Sequence, residues 1–141
     1  MDKDFVKQEK RIESIFPNDL EDIFKCKETI EIYKAYLENN LIFPIELTGI
    51  EDFDWEEFYL LGPGDKKEYE ELKIINPSFT DIFNMTSIDN DFDIDYGLFA
   101  DVIRISDNKR FLIPLAELVV IDKKSKNYQL LDDYAVWFVN Y

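Results

Sequence analysis

The sequence predicts an α+β fold: N-terminal helices, then a small antiparallel β-sheet or SH3-like barrel, then a C-terminal helix. Three observations carry this. Apolar residues recur at helical spacing through about residue 44. Residues 45–122 are rich in β-branched and aromatic side chains broken by turn signals. Residues 123–141 return to a helical stripe. A chain of 141 residues can build one domain around one core. The expectation is therefore a single domain, 1–141, made of these three parts.

The first helix is expected over Asp4–Ile15, with Ile12, Ile15 and Phe16 on one face and Phe5 and Val6 further back. Pro17 stops it, because proline disfavours helical geometry in the residue before it. Asn18 offers an N-cap for a segment starting at Asp19. Leu20, Ile23 and Phe24 line its apolar side, and Cys26, Ile30, Tyr33 and Leu37 continue the spacing. This reads as one bent helix or two, ending at Asn39-Asn40.

In "LIFPIELTGI", Pro44 argues for an edge strand or an extended connector, since proline donates nothing to a ladder. "EFYLLGPGDKKEYEELKII" reads as strand, Gly-Pro-Gly turn, strand. "LFADVIRI", "SDNK" and "RFLIPLAELVVI" read as a hairpin, with Pro114 marking a bulge or an edge in its second arm. Leu130, Leu131, Tyr134, Trp137, Phe138 and Tyr141 form the stripe of a helix that faces the core.

Charge bounds the function. There are 31 acidic and 16 basic residues, for a net charge of −15. Such a field repels nucleic acid and anionic membrane and attracts cations and basic proteins. With one cysteine, Cys26, and no histidine, internal disulfides, zinc or copper centres and Ser-His or Cys-His catalysis are not expected. P-loop, GxGxxG, GxSxG and HExxH motifs are absent, so a non-enzyme is expected. Arg104 and Arg110 read as surface ion-pair partners. "MDKDFVKQEKR" lacks the apolar core of a signal peptide, and no apolar run is long enough to span a bilayer, so a cytoplasmic location is expected.

The acidic residues cluster. One group is Glu51, Asp52, Asp54, Glu56 and Glu57; another is Glu68, Glu70 and Glu71. Asp89, Asp91, Asp93 and Asp95 alternate in "SIDNDFDIDYG", Asp132-Asp133 lie on the last helix, and Glu38 with Asn39 make a smaller group. Calcium wants six to eight oxygens from carboxylates, carbonyls and water, which such clusters supply. The aspartate run is not an EF-hand. With Asp91 first, position 6 is Tyr96 and position 12 is Val102; with Asp89 first, they are Ile94 and Ala100. Its alternation instead suggests a strand, with Ile88, Phe92 and Ile94 on one face and the aspartates on the other.

Two segments carry a family resemblance. "YLENNLIFPIE" at Tyr36–Glu46 resembles the "YLEDNLxFPF" signature of a bacterial calcium-binding protein family first described in cyanobacteria. "FLIPLAELVVID" at Phe111–Asp122, followed by "LDDYAVWFVNY", resembles that family's C-terminal part. The resemblance implies an acidic protein that binds calcium without an EF-hand, and a helical part packed on a small barrel-like β part. One departure from the signature matters: its aspartate is Asn39 here, which keeps an oxygen and loses a charge. The expected function is a calcium buffer or sensor, with Glu38, Asn39, Asp132 and Asp133 as candidate ligands and Asp89, Asp91, Asp93 and Asp95 as a separate candidate. The alternative is an acidic immunity or inhibitor protein, or a nucleic-acid mimic, that covers a basic protein. In that case Phe53, Trp55 and Phe58 would be interface anchors unless they are buried in the core.

Overall fold

Helices α1 (Lys3–Ile15) and α2 (Lys27–Asn40) open a computed structural model that describes residues 3–141. Ile12 and Phe16 of the first helical region and Ile30, Tyr33 and Leu37 of α2 are buried together, as their spacing requires. The helix expected from Asp19 does not form, and residues 17–26 are irregular. Tertiary hydrogen bonds hold this stretch open. Trp137 Nε1 donates to the Ile23 carbonyl at 2.8 Å, and Lys25 Nζ donates to the Phe138 carbonyl at 2.8 Å. Thr29 then starts α2: its hydroxyl accepts from the Cys26 amide at 2.9 Å and lies 2.7 Å from the Phe24 carbonyl.

Strand β1 (Ile45–Gly49) is not an edge. It pairs antiparallel with both of its neighbours, Ile45 facing Met85 on one side and Leu47 facing Val120 on the other. Pro44 sits just before the first paired residue, so its missing N–H costs the ladder nothing.

The expected strand–turn–strand over 57–75 is instead two helices, α3 (Asp54–Leu60) and α4 (Lys66–Ile75). Glu56 in the first turn of α3 accepts from the Phe53 amide at 3.1 Å, a capping bond that commits the segment to helix. Tyr69 of α4 stacks on Tyr59 at a centroid distance of 5.6 Å and packs on Trp55 at 5.6 Å. The β-branched end of α4, Ile74 and Ile75, remains exposed.

The remaining strands are β2 (Phe83–Asp93), β3 (Gly97–Arg104), β4 (Arg110–Pro114) and β5 (Leu118–Val120), in sheet order β4-β3-β2-β1-β5. The sheet is antiparallel and open, so of the two forms expected it is a sheet, not a closed barrel. The β3–β4 hairpin forms as expected, but its second arm, expected to run through Ile121, stops at Pro114 on the sheet edge. A single 3₁₀ turn, Leu115–Glu117, carries the chain across to β5 on the other side. Helix α5 (Lys126–Asn140) lays Leu130, Leu131, Tyr134, Trp137 and Phe138 into the core, the stripe expected of it. Residues 45–122 thus hold all five strands and two helices as well.

The β2–β3 turn explains the glycine of "SIDNDFDIDYG". Gly97 has φ of 75°, in the left-handed region. A Cβ there would also meet the Tyr134 hydroxyl and, at 2.7 Å, the Phe138 ring. That hydroxyl accepts from the Leu98 amide at 2.9 Å. Gly97 is therefore a packing glycine under α5, not a cation-loop glycine. Gly97→Ala is expected to cost about 1–3 kcal/mol through strain and displaced rings. Urea unfolding checks this, and an unchanged midpoint would refute it.

Among the described residues, no helix is long and apolar enough to cross a membrane.

Candidate functional site

Beyond β1 the chain turns over the 3₁₀ segment. The Ile50 amide donates to the Glu117 carbonyl at 3.0 Å. This bond sets the loop after β1 beside the turn before β5, and α5 closes the third side. The result is a cleft of about 710 Å³. Glu51, Asp52, Asp54, Glu57, Asp95 and Glu117 line it, and among the described residues no lysine or arginine does. Burial pushes the Glu117 carboxyl up, and the nearby Asp54 and Glu51 carboxylates push it further. The cleft therefore concentrates negative charge without an internal counter-ion. Ile50, Leu61, Tyr96 and Val139 add exposed apolar surface to the same lining.

The expected ligands are scattered. Glu38 and Asn39 are exposed at the end of α2, and Glu38 is ion-paired to Lys34 at 3.0 Å. Asp133 is buried and engaged: Arg11 donates to both of its oxygens, at 2.9 and 3.0 Å, and Gln8 adds a bond at 2.9 Å. Asp132 accepts a second bond from Gln8 at 2.9 Å. This pair fastens α1 to α5.

The four aspartates lie on the far end of β2 and in its turn. The register slips between Ile88 and Phe92, so the simple alternation breaks and Asp89 and Asp91 fall in the irregularity. Asp89 accepts from the Asp91 amide at 3.2 Å. Asp93 accepts from the Asp95 and Tyr96 amides at 2.7 and 3.0 Å, an Asx turn that shapes the hairpin. Of the eight expected residues, Asp95 is the one that lines the cleft.

The cluster at 51–57 stands out in the sequence, yet its members part company in the structure. Glu51, Asp52, Asp54 and Glu57 face the cleft, whereas Glu56 is fully buried. Glu117 gives no sequence signal, being a lone acid in the apolar run "IPLAELVV". Of the three aromatics beside this cluster, Phe53 is buried, Trp55 is partly buried and Phe58 is exposed.

Among the described residues, no group of three or more carboxylate, histidine or cysteine side chains closes around a single metal position. The donors in the cleft are all oxygens, which suits a hard cation that also takes water and backbone carbonyls.

No protein-family model matches the chain, and no curated protein sequence does. Solved structures do. The chain is similar to the crystal structure of Anabaena CcbP, with a TM-score of 0.61 and 17% identity over 94% of this chain and 89% of that one. It shares the CcbP fold. It is also similar to a calcium-binding protein solved in its calcium-binding form, with a TM-score of 0.57 and 17% identity over 94% of this chain and 90% of that one. The likeness to CcbP thus extends over nearly the whole chain, well beyond the two segments that carry the resemblance in sequence.

Proposed function

We propose that this protein binds calcium through surface carboxylates, as a buffer or sensor, with the cleft lined by Glu51, Asp54 and Glu117 as the region that holds the hydrated ion, without three of them closing on it. The observation that carries the reading is the likeness of fold to a protein solved in its calcium-binding form, over 94% of this chain. The cleft supports it chemically: hard oxygen donors, strong negative field and no internal cation. Calcium held there keeps several waters, consistent with modest affinity. Binding relieves repulsion among the carboxylates and stabilises the folded state by mass action.

Calorimetric titration with calcium, and with magnesium in parallel, tests the reading. Calcium is expected to release or absorb measurable heat at millimolar concentration or below and to raise the melting temperature. Neutralising two donors, Asp54→Asn with Glu117→Gln, is expected to weaken calcium about tenfold or more, equivalent to about 1.4 kcal/mol. Glu38→Gln and Asp132→Asn are expected to leave affinity within about threefold, roughly 0.65 kcal/mol on the same scale. The reverse pattern would move the site to the α2–α5 region. No heat and no thermal shift would sink calcium binding altogether.

The pH dependence has a definite sign. Protons compete with calcium for Glu117, so affinity falls as pH is lowered through that group's raised pKa and levels off above it. Without calcium, the raised pKa means that ionised Glu117 destabilises the fold above its folded-state pKa. The effect vanishes below the ordinary value of 4.5. Glu117→Gln therefore stabilises the calcium-free protein at neutral pH and makes no difference in acid.

A further inference from the structure

The cleft is larger and more apolar than a cation needs. A water occupies about 30 Å³ of liquid, so a hydrated ion leaves most of the 710 Å³ unfilled. Leu61 is 79% exposed and Val139 68% exposed, and Ile50 and Tyr96 are each at least half exposed beside them. They come from four separate parts of the chain, and all line the same concavity. Apolar side chains gathered in one cleft and rimmed by charge mark an interaction surface rather than scattered exposure.

We propose that this cleft docks a basic amphipathic segment of a partner protein. Its lysine or arginine side chains would lie against Asp54, Glu51 and Glu117, and its aliphatic side chains against Leu61, Val139, Ile50 and Tyr96. Charge complementarity fixes the occupant. Among the described residues the lining has six acids and no base, so an acidic segment or an anionic lipid surface is repelled. A second copy of this chain, at −15, is disfavoured for the same reason. A purely cationic chain would leave the four apolar side chains in water, so both properties are required of the segment. The inference stands apart from the calcium reading, because it needs neither a metal nor a finished coordination shell.

The test uses the full chain, labelled with ¹⁵N, in buffer containing a calcium chelator. The probe is a synthetic 14-residue helical peptide of leucine and lysine at amphipathic spacing. Oligolysine of equal charge and a leucine–glutamate peptide of the same pattern are the comparisons. The leucine–lysine peptide is expected to shift amide signals of the 50–61, 95–97, 116–117 and 135–140 segments. It is expected to bind at least about tenfold tighter than oligolysine, and the leucine–glutamate peptide is expected not to bind. Leu61→Ser and Val139→Ser, both at exposed positions that the fold does not use, should each weaken the peptide about threefold or more. Asp54→Asn with Glu117→Gln should weaken it and flatten its salt dependence. Equal binding of oligolysine, shifts centred elsewhere, or a chain that self-associates through this face in sedimentation would overturn the proposal. Failure of the calcium titration would leave these outcomes unaffected, and calcium binding without peptide binding would overturn this inference alone.

Discussion

Replacing Arg104 by alanine is expected to destabilise the protein by roughly 3–5 kcal/mol, the range for removing one partner of a buried ionic network. Arg104 is only 3% exposed although it sits at the end of β3. Its Nη1 donates to the carbonyls of Lys73 and Asn76 at 2.8 and 2.9 Å and to Asp81 at 3.0 Å. Its Nη2 donates to the Ile74 carbonyl at 2.7 Å and to Asp107 at 2.8 Å, while Nε takes the other Asp107 oxygen at 3.0 Å. The guanidinium lies over the Phe111 ring, 5.1 Å from its centroid. One side chain thus satisfies carbonyls at the C-terminal end of α4, where positive charge also complements the helix dipole. It joins α4 to the sheet and fixes the β3–β4 turn through Asp107. Alanine removes the donor from the Lys73 and Asn76 carbonyls and leaves Asp81 with the Ser78 amide and Ile74 with Lys109 alone. Lysine restores the charge but not the planar fork, so Arg104→Lys should recover less than half of the loss. Urea unfolding of both variants measures this, and a loss below about 1 kcal/mol for alanine would contradict the network's role. The Asp107 side of the network holds well into acid. Its pKa is lowered from 3.8 to about 2, chiefly by hydrogen bonds from Arg104. The stability it contributes is present above pH 3.8 and is lost as pH falls through about 2.

Arg104 also shows where the sequence stops being informative. Nothing in "DVIRIS" distinguishes an arginine buried under a helix end from one on the surface, because its partners are backbone carbonyls 28 to 31 residues away. Arg110, read the same way, does remain on the surface, paired to Asp101 at 3.3 Å with its side chain 65% exposed. Elements whose faces are decided by their own periodicity were legible. The α5 stripe from Leu130 to Phe138 and the β3–β4 hairpin are of this kind. Elements decided by capping or by distant hydrogen bonds were not. Residues 57–75 carry strand-like composition, but Glu56 at the start of α3 and the aromatic stack of Tyr59 on Tyr69 make them helical. Residues 19–24 have helical spacing, yet bonds from Trp137 to the Ile23 carbonyl and from Lys25 to the Phe138 carbonyl tie the segment to α5 and hold it apart from α2.

The candidate site divides in the same way. Charge clustering was visible at 51–57 and 89–95, but which carboxylates are free to face a ligand depends on what each already binds. Asp133 is taken by Arg11 and Asp93 by two backbone amides, whereas Glu117 joins the cleft through a loop contact with Ile50. Local pattern reports how much charge there is. Tertiary structure decides which charges are left over.

Glu56→Ala is expected to cost about 3–5 kcal/mol, for the opposite charge but the same reason. This carboxylate is completely buried with no basic partner among the described residues, and four donors satisfy it instead. The amides of Phe53 and Phe79 donate to Oε1 at 3.1 and 2.9 Å. The hydroxyls of Tyr69 and Ser78 donate to Oε2 at 2.6 and 2.8 Å. Alanine removes the acceptor from the Phe53 and Phe79 amides and the Tyr69 hydroxyl in the interior, while the Ser78 hydroxyl keeps Thr80 at 3.1 Å. Glu56→Gln should cost less, roughly 1–3 kcal/mol. Its oxygen can still accept from the two amides, which can only donate, and its NH₂ can face the two hydroxyls, which can turn to accept. Tyr69 supplies a readout that general destabilisation does not move. Burial, and then Glu56, raise its pKa from 10.0 to about 12. Glu56→Gln should bring the Tyr69 titration back toward 10, while the burial contribution remains. A raised folded-state value means that this cluster's stability is intact below pH 10 and is lost as pH rises through about 12. The functional consequence follows from position. Glu56 anchors α3 to the chain before β2, and α3 carries Asp54 and Glu57 into the cleft wall, with Leu61 just past its end. If the cleft is the calcium site, Glu56→Gln should weaken calcium although Glu56 touches no ion, and the Tyr69 shift should track that loss from variant to variant.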